Sequence, residues 1–199
     1  MESSNKFLDV LYKYRFSKNF IYQILRARAK DLARTVSPYL NKDELILDIG
    51  PASCTVTEAL LKQGLKVFPS DIENFSIVDT VLPTLYDGRK LPFKDNQFGT
   101  SLILFVLHHT PDPAEILTEA KRVSRRVLVF EDIITSPTHK SLTAALDSLM
   151  NLEFYDQPHT NKSDEEWQST FSQLGLKILG REYKSSAMIM RHALYFLEK

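Results

Sequence analysis

The chain has 199 residues, 43% of them hydrophobic and 25% charged, with a formal net charge of zero. Those values suit one globular domain with a substantial core and argue against a phosphate backbone as main partner, since nucleic-acid binders carry a basic excess. The single cysteine, Cys54, excludes an intrachain disulfide, and the longest purely apolar run, Leu102–Leu107, is far short of the ~20 residues that stable insertion across a bilayer needs. The N-terminus lacks the basic-then-apolar order of a signal peptide, so the expected location is cytoplasmic.

Residues 1–40 form an N-terminal helical segment ahead of a domain over 41–199. Within it, 5–36 is amphipathic and aromatic-rich (Phe7, Leu8, Leu11, Tyr12, Phe16, Phe20, Ile24) and reads as one or two helices. Residues 1–34 hold eight lysines and arginines against three acids, a net +5. The segment is a possible lid over an acceptor site, a dimer-forming helix or a solvated amphipathic helix. Leu45–Ile49 reads as the first strand. Thr55-Val56-Thr57-Glu58 has the pattern of a capping box, and Gly64 stops the helix that follows. Leu65–Ser70 is the second strand, ending at Asp71. Val81–Tyr86 is a third strand that Pro83 confines to an edge. Phe98–Phe105 is a fourth, buried on both faces by its apolar content.

Asp112-Pro113-Ala114-Glu115 starts a helix, with Asp as cap and Pro in the first turn. Val127–Glu131 is the fifth strand. A helix follows over 138–151, and Ser163-Asp164-Glu165-Glu166 caps another that carries Trp167, Phe171 and Leu174 inward. Leu176–Tyr183 and Ala187–Leu197 are late strands, and the short joint at Lys184–Ser186 demands that they pair antiparallel. Strands alternating with helices imply a parallel α/β sheet.

The candidate chemistry lies at the ends of these strands, where open α/β sheets bind ligands. Asp48-Ile49-Gly50-Pro51-Ala52-Ser53-Cys54 joins a buried strand to a helix N-terminus, a socket for a nucleotide-like ligand. Asp71 lies 23 residues beyond Asp48, at a strand end where an acid commonly accepts from ribose hydroxyls. Asp87-Gly88 is a turn whose carboxylate and N–H suit an adenine edge. Phe105-Val106-Leu107-His108-His109 ends a buried strand in two histidines, and spacing favours neither of them. Asp132 and His159 join them as candidates for a general base. No cysteine, histidine or carboxylate set has zinc-ligand spacing, so no metal is expected. A nicotinamide-binding turn fails because Ala52 and Thr55 stand where it needs glycine.

The stretches "LILDIGPAS", "VFPSDIE" and "YDGRKLPFKDNQFGTSLILFVLHHTPDPAEILTEAKRVSRRVLVFED" resemble class I methyltransferases that use S-adenosyl-L-methionine, in their type 11-like small-molecule branch. The resemblance runs from about Leu45 to Asp132. It implies a Rossmann-like sheet of seven strands, mostly parallel with the last inserted antiparallel and helices on both faces. The implied activity is methyl transfer to an O, N or C atom of a small molecule; the alternative is a weak or inactive protein on this fold that serves as a binding module. By the same resemblance Asp48, Gly50, Pro51 and Ala52 lie against the methionine end of the cofactor and Asp71 binds its ribose. Ile72 packs on the adenine, Asp87 and Gly88 read its edge, and Phe105 borders the sulfonium and the acceptor. Apart from the resemblance, the place of His109 and His108 beyond a strand's carboxyl end makes one of them a candidate to touch the acceptor, the alternative being a structural hydrogen bond or a surface position. The chain departs from the family pattern at Ala52 and Cys54, which replace glycines, and at Gly99, which replaces an aspartate. A positive φ at Ala52 would store about 1–2 kcal/mol.

Overall fold

A computed structural model of the protein describes residues 15–135, 160–186 and 190–199. Helix α1 (Arg15–Val36) precedes strand β1 (Leu45–Ile49), helix α2 (Thr55–Leu61), β2 (Lys66–Asp71), β3 (Thr84–Leu85) and β4 (Phe98–Leu104). Helix α3 (Pro113–Val123), β5 (Ser124–Asp132), α4 (Asp164–Gln173), β6 (Lys177–Ser186) and β7 (Met190–Glu198) follow. The strands form one seven-stranded sheet in the order β3-β2-β1-β4-β5-β7-β6. β1 to β5 are parallel, and β7 runs antiparallel between β5 and β6. This is the doubly covered, Rossmann-like sheet that the alternation of elements and the family resemblance both imply.

Each face of the sheet has its own apolar layer. On one, Ile116, Leu117 and Ala120 of α3 and Trp167 and Phe171 of α4 pack on Leu47, Ile49, Ile103, Val127 and Val129. On the other, Ala33 and Val36 of α1 and Leu60 of α2 pack on Ile46, Leu102, Leu128, Phe130 and Leu194. Strands covered twice are buried at every position rather than at alternate ones, and β4 is buried from Phe98 through Ile103, Thr100 and Ser101 included. The C-terminal half of α1 is thus part of the core. Among the described residues no helix is long and apolar enough to cross a membrane.

Helix ends follow local chemistry in two cases. Asp112 Oδ1 accepts the Ala114 N–H at 2.9 Å to cap α3, and Ser163 with Glu166 closes a reciprocal capping box on α4. The third case is a correction. The Thr55–Glu58 pattern forms no capping box: Cys54 is the N-cap, in the left-handed region and without a side-chain cap bond. Thr57 Oγ1 instead donates to Asp48 Oδ2 at 2.6 Å, and Glu58 accepts from Tyr22 at 2.8 Å and Lys62 at 2.6 Å. Strand boundaries also move. β3 shrinks to Thr84–Leu85 at the sheet edge, and Lys184–Ser186 belong to β6, so its joint to β7 falls on residues 187–189, outside the described set. The helix expected over 138–151 and His159 lie outside it too. Gly99 has a local reason: a Cβ there would collide with the Glu44 side chain, which pairs with Arg126 at 2.5 Å and Arg125 at 3.0 Å.

Candidate active site

The parallel strands deliver their C-terminal residues to one edge. Asp48, one residue before the end of β1, is 2% exposed, and burial pushes its carboxyl up to about 6 against the pull of the Thr57 hydroxyl bond. The chain then turns through Gly50 (φ +69°), Ala52 (φ +45°) and Cys54 (φ +56°). Three left-handed residues in five make the loop tight, and two of them carry a Cβ that disfavours it. Backbone bonds hold it: Gly50 N–H to Ser70 O at 2.9 Å, Cys54 N–H to Pro51 O at 2.9 Å, and Ile77 N–H to Ser53 O at 3.2 Å. Asp71 adds a side-chain brace, its Oδ2 accepting the Ala52 N–H at 3.0 Å. The Cys54 side chain packs into a cluster with Ile77, Val78 and Val81, away from the loop tip, and its thiol is pushed up to about 11 by burial. It is therefore packing, not a nucleophile. The Ala52 methyl is exposed at the tip.

Gly50 has a second constraint. A Cβ there would meet the Val106 side chain at 2.8 and 2.9 Å, so the loops after β1 and β4 touch through a glycine. At the end of β2, Asp71 Oδ1 accepts the Ile72 N–H at 2.7 Å. The Glu73 N–H also reaches this carboxylate, and with about four acceptor positions in all it keeps room for a hydroxyl donor. Burial is the largest influence on Asp71 and raises its pKa, against the bonds from Ala52 and Ile72. Ile72 is 61% exposed and lies beside Gly88 (φ +80°), an apolar shelf next to a turn. Asp87 Oδ1 closes that turn, accepting from the Arg89 and Lys90 N–H groups at 2.9 Å each. These bonds, the Lys90 one first, lower its pKa.

Beyond β4, Phe105 also adopts a positive φ of +59°. Glu131 sustains that bend: its Oε1 accepts the Val106 N–H at 2.8 Å and the Leu107 N–H at 2.7 Å. Its Oε2 meets His108 Nδ1 at 2.6 Å. His108 is 1% exposed, so its ring lies inside the wall, while the His109 ring lies tilted against it with centroids 4.0 Å apart and keeps partial exposure. Sequence spacing could not separate the two histidines; burial does.

One constellation escaped the sequence. His192 Nδ1 meets Asp132 Oδ1 at 2.5 Å. The His192 ring stands edge-on to Phe105, 5.2 Å away, and the Arg28 guanidinium of α1 lies 5.4 Å above the Phe105 ring. Asp132 is among the general-base candidates, but no local signal marks His192. Among the described residues no group of histidines, cysteines and carboxylates could hold a metal ion.

The geometry is thus a strip along one sheet edge. It runs from a buried acid (Asp48) through a tight loop to a second acid (Asp71), an apolar shelf (Ile72) and a polar turn (Asp87-Gly88), with Phe105 beside the loop. A ligand with a cationic end, vicinal hydroxyls and a flat heterocycle matches it in that order.

Residues 47–127 match the family model described as a methyltransferase domain. A sequence search of curated proteins finds no match. Among solved structures, the fold is similar to that of a SAM-dependent methyltransferase from Aquifex aeolicus (15% identity, TM-score 0.59, covering 86% of this chain and 98% of that one). It is also similar to magnesium protoporphyrin IX methyltransferase from Synechocystis PCC 6803 with bound SAH (15% identity, TM-score 0.62, 87% and 83%). A third likeness is an O-methyltransferase family 2 protein from Planctomyces limnophilus DSM 3776 in complex with apigenin (19% identity, TM-score 0.61, 92% and 61%). These likenesses establish the methyltransferase-type fold, and the matched family model spans the strands that carry the site.

Proposed function

We propose that the chain methylates an O, N or C atom of a small molecule. The observation that carries the cofactor half is the pairing of two acids, Asp48 and Asp71, at the tips of adjacent strands on either side of one left-handed loop. In this reading Asp48 faces the cationic methionine end, with Gly50, Pro51 and Ala52 supplying close backbone. Asp71 accepts from the ribose hydroxyls, Ile72 lies under the adenine, and Asp87 and Gly88 border its edge. S-adenosylmethionine, when bound, supplies a methyl group on a sulfonium that is already a good leaving group. What the protein adds is alignment, worth roughly 7–11 kcal/mol of barrier where the attacking atom is well placed. Phe105 borders the place where that atom sits, and His109 has the access to reach it. In the same reading the N-terminal helical segment, residues 1–40, covers the acceptor site as a lid, with Arg28 of α1 over Phe105. A small-molecule acceptor is supported by the magnesium protoporphyrin IX and apigenin in the names of two structural relatives.

Thermal unfolding with S-adenosylhomocysteine, S-adenosylmethionine and NAD tests the cofactor assignment. Either adenosyl ligand at a hundredfold excess over Kd adds about 2.7 kcal/mol, a rise of roughly 5–10 °C for a chain of this size. NAD leaves the transition in place. No rise with either adenosyl ligand at millimolar concentration overturns the reading.

A further inference from the structure

Helices α1 and α2 pack through Ala33, Val36 and Leu60, and a groove runs along the seam between them. It encloses about 250 Å³ and is lined by Arg26, Lys30 and Arg34 of α1 and by Glu58, Ala59 and the C-cap Lys62 on the α2 side. Arg26, Lys30 and Arg34 follow one another at four-residue spacing, so they form one row, about 6 Å apart along the helix axis. Like charges at this spacing repel and weaken a helix. No carboxylate relieves them: among the described residues none of the three makes an ion pair. The acid in the groove, Glu58, is already engaged, accepting from Tyr22 at 2.8 Å and from Lys62 at 2.6 Å. Arg34 stands in the last turn of α1, where a cation offsets the negative helix end, but Arg26 and Lys30 lie too far back for that. Arg28, over Phe105, is about 200° around the helix from Arg26, so the row faces away from that contact.

We propose that the groove between α1 and α2 is a second binding site, for the phosphate chain of a soluble di- or triphosphate. It goes beyond the methyl-transfer reading and does not depend on it. Guanidinium groups offer paired N–H donors that match phosphoryl oxygens, which suits Arg26 and Arg34, and the Lys30 ammonium between them acts as a point charge. The volume lies below the ~300–1,000 Å³ of pockets for drug-sized ligands, so the groove suits a compact anion. Several negative charges are needed, because four cations face one carboxylate that Lys62 and Tyr22 already hold. A lipid surface presents the same phosphates. A helix that lies on a bilayer, however, sets large apolar side chains beside its cations, and the apolar residue lining this groove is Ala59. A bound phosphate chain cancels the repulsion within the row and ties α1 to α2, so it stabilises the fold.

The test titrates the full chain with inorganic triphosphate by calorimetry and follows its thermal unfolding. Sulfate at matched ionic strength and phosphatidylcholine vesicles carrying phosphatidylserine are the other arms. Triphosphate is expected to bind and to raise the melting point, and sulfate and the vesicles are expected to leave it in place. Lys30→Gln combined with Arg34→Gln is expected to weaken triphosphate binding by at least about tenfold. Both side chains are exposed, so the double variant folds, and without ligand its melting point matches or exceeds the wild-type value because the repelling row is broken. Lys66→Gln, which removes an exposed cation outside the groove, keeps wild-type affinity. Wild-type protein that binds no triphosphate, an equal response to sulfate, or tighter attachment to the vesicles than to triphosphate overturns the proposal. So does a double variant that binds as tightly as wild type, or an equal loss in Lys66→Gln.

Discussion

Asp71 Oδ2 accepts the Ala52 N–H at 3.0 Å, so the acid at the tip of β2 holds the strained residue of the neighbouring loop. Asp71 therefore has a structural task besides its proposed one. Asp71→Ala strands the Ala52 and Ile72 N–H groups in a largely buried place, a loss of about 1.5–3 kcal/mol for bonds to a charged acceptor. The unliganded melting point should fall by roughly 3–12 °C. Asp71→Asn keeps the shape and one acceptor oxygen. With one N–H left facing the amide NH2, it should melt between Asp71→Ala and wild type, and it should bind S-adenosylhomocysteine at least about tenfold more weakly, a 1.4 kcal/mol loss. Calorimetry on both variants separates the brace from the ligand contact.

Ala52 and Cys54 share a left-handed backbone but not an environment. Relieving φ at either by glycine recovers about 1–2 kcal/mol, less about 0.4–1 kcal/mol for the freer unfolded chain. Ala52 is exposed, so Ala52→Gly should be neutral to stabilising by about 1 kcal/mol. Cys54 is fully buried among Ile77, Val78 and Val81, so Cys54→Gly leaves a void and should destabilise despite the relieved backbone. Denaturant midpoints of the two variants moving in opposite directions would bear this out; Cys54→Gly as stable as wild type would refute it.

What the sequence announces and what it conceals divide along range. Leu45–Ile49 and Phe98–Leu104 are legible because double burial favours short apolar runs, Leu45–Leu47 and Leu102–Leu104, and Asp112 and Ser163 because a cap is a contact within three residues. Asp48, Asp71 and Asp87 are legible because strand ends in a parallel sheet share one edge. The Thr55–Glu58 pattern misleads for the converse reason: Thr57 is taken by a carboxylate nine residues back, which no local rule sees. His192 is 60 residues from Asp132 and meets it only through the antiparallel insertion of β7. The left-handed angles at Ala52 and Cys54 are set by the loop's backbone bonds and not by residue preference, so composition could only flag them as departures.

Glu131 is the keystone of the bend after β4. It is fully buried, accepts two backbone N–H groups and meets His108. Glu131→Ala removes three bonds at once and leaves His108 without its carboxylate, a cost of about 3–5 kcal/mol. Phe105 then loses the support for its positive φ. The expected result is a melting point lower by roughly 6–20 °C. Methyl transfer should fall further than the loss of folded protein explains, because Phe105 no longer holds its place. Activity per folded molecule equal to wild type would show that Phe105 keeps its conformation without Glu131.

Asp48 sets a pH dependence whose sign is unusual for a carboxylate. Burial raises it from 3.8 to about 6 in the folded protein. The folded state thus holds a proton that the unfolded state has released, and stability falls as pH rises from about 4 through about 6. The full penalty, on the order of 3 kcal/mol, is in place at neutral pH. Asp48→Asn keeps an acceptor for Thr57 and removes the buried charge, so it should raise the melting point at neutral pH and do little below about pH 4. A ligand cation reverses the balance, because it pairs with the ionised carboxylate. S-adenosylmethionine affinity of the wild type should therefore increase as pH rises through about 6, while the affinity of Asp48→Asn is low and flat over the same range. Titration calorimetry across that range checks both halves. A variant that is more stable yet binds as tightly as wild type would remove Asp48 from the cofactor site.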